Sequence, residues 1–368
     1  MHTEPFTDPP PAHCGDFFPL LRDHVYLDTG SAGIALPTHP AAAARFYEDK
    51  AAGYLGRERW QARAASVRAR LAAWLGVEAR EVEFFSGTTD ALNIVGHSLS
   101  WQSGDEIVVA SDEFPSVRLA WSAAEREGAT VRLIDIANES EREDALIAAL
   151  SPRTRVLVVA HVHSMTGTRL DLDRLGRACR ENGCLFVVDG IHALGATPVH
   201  LEQVDVYMAG VFKWLLAGFG LAVCVVRDRA RERMRPAFRG YLNQPPENGL
   251  QFAHCNYPGV YALEASLDFL GDTIGWDVVH GRTAQLVQWL ADDLAGTGIE
   301  LASPPGARAG IASFRVPDPE KTRLWLVEQG VHVAARGPYL RASPFVYNAR
   351  SDVARLAALV GEFLEQHK

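Results

Sequence analysis

The chain has 368 residues, 48% of them hydrophobic and 22% charged, and carries a formal net charge of -9 at pH 7. That length supplies one large or two ordinary domains with ample core, and the composition is that of a globular protein, not a disordered or collagen-like one. The negative balance, without any long basic run, argues against a nucleic-acid partner.

Residues 1 to about 22 are proline-rich and polar and read as an arm laid on another surface. Val25 to Asp28 is a short strand, and Thr29 to Gly33 a turn whose serine and glycines let backbone approach a ligand. Helices are expected over 39–51 and 61–76. The second shows Ala64, Val67, Leu71 and Trp74 at helical spacing and has Gly76 as its stop. Strand Val82 to Phe85 then runs through Ser86, Gly87, Thr88 and Thr89 into a helical pattern, so the free N–H groups of a helix N-terminus meet two hydroxyls and a glycine. That is an anion site or a simple cap.

Strands at about 106–110, 130–134, 155–160, 185–189, 206–209 and 221–226 alternate mostly with helices, which implies a mainly parallel sheet with covered faces. No dinucleotide glycine fingerprint follows the first strand, which disfavours a nicotinamide enzyme. Phe114 lies just past one strand end, placed to lie on a flat cofactor or to fill a core. Strand alternation puts His161 and His163 on one face, but no third ligand stands at a metal-site spacing, and no metal is expected.

Two strand ends carry the chemistry. Leu185 to Val188 ends in Asp189, and Val206 to Phe212 runs into Lys213. Open α/β sheets hold ligands at such ends. A lysine in so apolar a setting loses affinity for its proton and can attack an aldehyde. Lysine with a neighbouring carboxylate is what pyridoxal phosphate asks of a protein: an amine for its aldehyde and a counter-charge for its pyridinium nitrogen. Past Lys213, residues 239–246 form a loop. A long helix near 275–296, strands near 310–316 and 331–342 and a closing helix over 350–366 make a smaller α+β domain. The division falls near 255–275, giving a large domain over 25–260 and a small one over 261–368 that the arm 1–24 joins. Five cysteines, Cys14, Cys179, Cys184, Cys224 and Cys255, lack metal-ligand spacing and read as reduced thiols of a cytoplasmic protein. No apolar run reaches membrane-spanning length, and Met1 to Pro5 does not read as a signal peptide.

Four ordered stretches, Ser86-Gly87-Thr88-Thr89, Asp189-Gly190-Ile191-His192, Phe212-Lys213-Trp214 and Tyr339 to Asn348, resemble the class V aminotransferase family of fold-type I pyridoxal phosphate enzymes. That family includes cysteine desulfurases, carbon-sulfur lyases and isopenicillin N epimerase-like proteins. The resemblance implies a seven-stranded, mainly parallel sheet and pyridoxal 5'-phosphate as cofactor. Lys213 would form the Schiff base and move protons at the substrate α-carbon. Asp189 would face the pyridine nitrogen, and Phe114 would cover the ring. His192 and Ser164 would sit beside the phenolic oxygen, and Gly87, Thr88 and Thr89 would hold the phosphate. Arg341 would take the substrate α-carboxylate, for which a guanidinium offers two parallel charge-assisted hydrogen bonds.

Three departures stand out. Gly210 and Phe212 replace polar phosphate ligands. His254 falls where relatives carry a threonine contributed by the partner subunit. The stretch Arg336 to Arg341 lacks the persulfide-forming cysteine of desulfurases, and Cys255 is a poor substitute. The reading is β-elimination from an amino acid with a sulfur leaving group. Epimerisation or transamination of a specialised amino acid is the alternative, and a non-catalytic binding subunit the rival of another class. The resemblance also implies a homodimer with shared active sites.

Overall fold

The structure, a computed structural model, describes residues 18–244 and 249–367. Residues 1–17 of the arm expected over 1–24, and part of the 239–246 loop, lie outside the described residues. Strand β1 (Val25–Tyr26) leads to helices α1 (His39–Ala51) and α2 (Tyr54–Leu75). Helix α2 starts seven residues before the expected position 61, directly after Gly53 at φ 61°. Its first turn leaves Tyr54 and Leu55 exposed, so no apolar stripe marks it in the sequence.

The sheet is built from β2 (Val82–Phe85), β3 (Glu106–Ala110), β4 (Thr130–Ile134), β5 (Thr154–Ala160), β6 (Leu185–Asp189), β7 (Val206–Gly210) and β8 (Ala222–Val226). Their order is β2-β8-β7-β6-β5-β3-β4. All neighbours are parallel except β8, which runs antiparallel to both β2 and β7. Successive side chains go to opposite cores. Phe186, Val188, Tyr207, Ala209 and Val223 fill one face, and Leu185, Val187, Val206, Met208 and Cys224 the other. Covering both faces is why these strands read as unbroken apolar runs, and each fully buried aliphatic side chain contributes about 1.5–3 kcal/mol. Helix α3 (Thr88–Ser98) packs Ala91, Leu92 and Val95 on the second face. Helix α4 (Leu172–Asn182), capped by the Asp171 carboxylate and ended by left-handed Gly183, packs Leu175 and Cys179 on the first.

Helix α5 (Tyr257–Leu267) begins at Asn256, whose side chain accepts from the Gly259 N–H. Residue 260 therefore lies inside a helix, and Val260, Leu263 and Leu267 belong to the core of the large sheet. The end of α5 at Leu267 falls inside the 255–275 interval expected for the division. Beyond it come α6 (Trp276–Ala295), β9 (Ala312–Arg315), α7 (Pro319–Glu328), β10 (Val331–His332), β11 (Ala334–Arg336), β12 (Tyr339–Ala342) and α8 (Arg350–Gln366). The stretch 331–342 is three short strands, because Gly337 at φ 54° reverses the chain between β11 and β12. Strands β11, β12 and β9 form an antiparallel sheet, and β10 pairs in parallel with β1. The core of this part gathers Leu286, Leu290, Phe314, Leu326, Leu340 and Leu356 around Val25 and Leu27. The chain after the arm is thus tied through β10 to the C-terminal part, and the 28–33 turn reaches the segment that follows β7. No described helix is long and apolar enough to cross a membrane.

Candidate active site

Lys213 follows the end of β7, flanked by the buried side chains of Val211 and Trp214. Its Nζ lies 3.1 Å from His192 Nε2 and 5.6 Å from the centre of the Phe212 ring. Burial, with the Arg341 charge nearby, pushes the amine down to about 8, and Asp189 partly opposes this. The 28–33 turn closes over this segment, with Gly33 N–H donating to the Phe212 carbonyl at 2.9 Å. A Cβ at Gly33 would stand 2.2 Å from the Lys213 carbonyl oxygen, so the approach requires glycine.

Asp189 ends β6, which pairs directly with β7. Its Oδ1 accepts from the Ile191 N–H at 2.9 Å. Burial raises the carboxyl to about 7, against the pull of Lys213 and with a push from Glu113. His192 is buried, and burial and then Lys213 hold its pKa well below the usual imidazole value, so the ring is neutral. Its Nδ1 has no partner.

Helix α3 supplies the anion end. Gly87 precedes it and no side chain caps its first N–H groups. Thr88 is buried, and its Oγ1 accepts from the Gly210 N–H at 2.8 Å, which ties the helix N-terminus to the strand carrying Lys213. Thr89 is exposed, and its Oγ1 lies 2.7 Å from Ser116 Oγ. Ser116 was not singled out from the sequence, because only the fold brings its turn beside Thr89. Phe114 stands two residues earlier with 53% of its surface exposed. The Phe212 ring stacks on Phe219 at 4.4 Å, so this position offers an apolar face and no hydrogen-bond donor.

Arg341 projects from β12 and is 2% exposed. Nη1 donates to the Ser164 carbonyl at 2.8 Å and Nη2 to Ser31 Oγ at 2.9 Å. Asp28 Oδ1 lies 3.6 Å from Nη2, and Nε has no partner. Burial lowers the guanidinium to about 10. Ser164 therefore meets Arg341 through its backbone. Asp28 and Ser31 were legible only as a small-residue turn, since what makes them matter is the pairing of β1 with β10.

Other expected groups lie apart. His254 is exposed, its N–H donates to Tyr241 Oη at 2.6 Å, and its ring packs on Tyr241 and Tyr257. It makes no contact with the Lys213 cluster within this chain. His161 turns toward Tyr207 Oη at 3.5 Å, whereas His163 joins Thr166 and the Asp112 carbonyl. Asp112, Glu139 and His163 converge at metal-like distances. There the Arg142 guanidinium already donates to both carboxylates, at 3.0 Å to Asp112 Oδ1 and 2.7 Å to Glu139 Oε1.

A buried amine, a buried carboxylate and an uncapped helix N-terminus are the three holds that the aldehyde, pyridine nitrogen and phosphate of pyridoxal phosphate require. The unpartnered His192 Nδ1 and Arg341 Nε are polar atoms with bonding capacity that the protein itself leaves unused. These residues fit the group. The family model described as Aminotransferase class-V matches residues 25–356. Isopenicillin N epimerase of Streptomyces clavuligerus is 29% identical over 343 residues, covering 82% of this chain and 85% of that protein. A probable cysteine desulfurase of Methanothermobacter thermautotrophicus is 26% identical over 391 residues, covering 95% and 96%. Among solved structures, a complex of the cystine C-S lyase C-DES with its product cysteine persulfide superposes with a TM-score of 0.87 at 21% identity, over 94% of this chain and 99% of that one.

Proposed function

The chain belongs to the class V aminotransferase family of pyridoxal phosphate enzymes, and from that premise we propose that it catalyses β-elimination from an amino acid bearing a sulfur leaving group. Bound at this site, pyridoxal phosphate supplies an electron sink for the electrons of a bond broken at the substrate α-carbon. The single observation that carries the reading is the convergence of Lys213, His192 and Arg341 at the ends of β6, β7 and β12.

In this reading Lys213 would hold the cofactor through its amine, and the same amine would take the substrate α-proton. An amine brought down to about 8 is free in a useful fraction near neutral pH. His192 is a neutral partner 3.1 Å away that can accept a hydrogen bond from the resulting ammonium and keep it aimed. Arg341 fixes the substrate carboxylate and so selects which α-carbon bond is aligned for cleavage. Asp189 holds the pyridine nitrogen. Gly87, Thr88, Thr89 and Ser116 hold the phosphate, and Phe114 covers one ring face. His254, exposed and outside the cluster, is assigned to the site of a second copy in a homodimer.

The missing thiol favours elimination without a persulfide on the protein. Cys179, Cys184 and Cys224 are buried among core side chains, and burial raises the Cys255 thiol above its ordinary value. A second reading, epimerisation, is favoured by the relative that covers 82% of the chain.

The test begins with the visible spectrum of the cofactor-loaded protein and peptide mapping after borohydride reduction, with the label expected on Lys213. Cystine-type substrates should then release pyruvate. Solvent deuterium at the α-carbon with inverted configuration and no pyruvate would replace elimination by epimerisation. A label on another lysine would remove the catalytic reading altogether.

A further inference from the structure

The site holds a second guanidinium that the proposed chemistry does not use. Arg336 ends β11, at the tip of the hairpin whose other strand carries Arg341. Its Nη2 donates to Ser31 Oγ at 3.1 Å, the same oxygen that receives Arg341 Nη2 at 2.9 Å. One hydroxyl oxygen with two lone pairs thus stands between two like charges. Among the described residues, the other side-chain hydrogen bond of Arg336 is Nη1 to the adjacent Ala335 carbonyl at 2.9 Å. No carboxylate among the described residues forms an ion pair with it. Two described acids lie near: Asp28, whose Oδ1 lies 3.6 Å from Arg341, and Glu320, which feels the Arg336 charge but is paired with Arg323.

The hairpin tip is also seated on the site. A Cβ at Gly337 would come within 3.1 Å of Met165 Cε, and Met165 follows the Ser164 whose carbonyl holds Arg341. The charge of Arg336 reaches inward, where it helps lower Lys213, His192 and Arg341. One substrate carboxylate neutralises one guanidinium. With Arg341 buried beside Asp28 and Arg336 exposed on the solvent side of Ser31, the Arg336 guanidinium still has no ion-pair partner among the described residues after the α-carboxylate is bound.

We propose that Arg336 determines specificity by binding a second anionic group, so that the substrate is an amino acid whose side chain ends in a carboxylate or an equivalent anion. This rests on the reading of Arg341 as the α-carboxylate site. In a β-elimination the distal anion would sit on the leaving sulfur fragment, and in an epimerisation on the retained side chain. The shared requirement is two negative charges, one on each side of Ser31.

The experiment uses the cofactor-loaded protein and simple acids that lack an amine and cannot react. Calorimetric titration compares adipate with hexanoate and glutarate with pentanoate. A charge-assisted contact at the rim predicts that each dicarboxylate binds about tenfold more tightly than its monocarboxylate partner at low salt, and that added salt erodes the advantage. Arg336→Gln should remove the advantage and leave monocarboxylate affinity unchanged, Arg336→Lys should keep much of it, and Arg341→Gln should weaken both classes.

Dicarboxylates that bind no better than monocarboxylates, including no binding by either, would overturn the proposal. So would an Arg336→Gln variant that weakens both classes equally, since both arginines would then share one carboxylate. Borohydride labelling of the same samples separates the two levels. Label on Lys213 with no dicarboxylate advantage refutes this inference alone, whereas absence of the label refutes the functional reading beneath it.

Discussion

Two buried charged clusters lie at the same end of the sheet, and they are built in opposite ways. Around Arg142, the guanidinium reaches Asp112 and Glu139, and Thr168 Oγ1 donates to Glu139 at 2.6 Å. Every shift there deepens charge, with Asp112 and Glu139 held below their ordinary range and Arg142 raised. Around Lys213 every shift erodes charge: the lysine falls, Asp189 rises and Arg341 falls, each chiefly through burial. The first cluster has met its electrostatic needs internally. The second leaves His192 Nδ1 and Arg341 Nε unpartnered, which is how a site prepared for a charged ligand differs from a structural ion network.

Breaking each cluster should have opposite consequences. Lys213→Ala should abolish borohydride labelling and lower turnover by about 10²–10⁴-fold. The cofactor-free variant should unfold in urea no more easily than the parent, because it removes a buried amine whose charge burial disfavours. Arg142→Met should do the reverse. It leaves Glu139 and the half-exposed Asp112 without their guanidinium and should cost about 3 kcal/mol of stability, the low end for a broken buried pair because water reaches Asp112, with Lys213 still labelled in whatever fraction folds. Equal urea midpoints for the two variants would erase the distinction between the clusters.

Arg341→Gln should raise KM in proportion to about 1.5–3 kcal/mol of lost binding, with a smaller change in kcat. A loss confined to kcat would mean that Arg341 does not hold the substrate carboxylate.

A smaller effect sharpens the electrostatic contrast. With its pKa raised from 3.8 to about 7, Asp189 in the folded protein keeps a proton that the unfolded chain has already lost between those values. The unfolded state therefore binds fewer protons there. Cofactor-free protein should lose stability as pH rises through this window, by at most about 1.4 kcal/mol per unit. Asp189→Asn should lack this slope, so it gains on the parent toward pH 7. Parallel urea midpoints across the range would show that Asp189 is ionised throughout.

Most of the sheet was legible because its strands, edge strand β4 excepted, are buried on both faces. Leu185 to Val188, Val206 to Gly210 and Ala222 to Val226 stand out as apolar runs whatever surrounds them. Lys213 and Asp189 were legible for the same reason, as ionisable residues at the ends of such runs. The first turns of α2 were not, since their side chains face outward without an apolar stripe. Nor was the break of 331–342 into three strands, which follows from the left-handed Gly337 and the pairing of β10 with β1.

By itself the sequence determined the α/β class, the strand ends that carry the amine and the carboxylate, and the glycine-hydroxyl turn before α3, because each is written in consecutive residues. Only the tertiary structure decided that Ser31 would stand between Arg336 and Arg341, that His192 would reach Lys213, that Ser116 would meet Thr89, and that Arg142 would occupy the place a metal could have taken. Such pairings span up to 310 residues of chain, as between Ser31 and Arg341. They are fixed by which strands pair and which faces bury, and local sequence does not encode that.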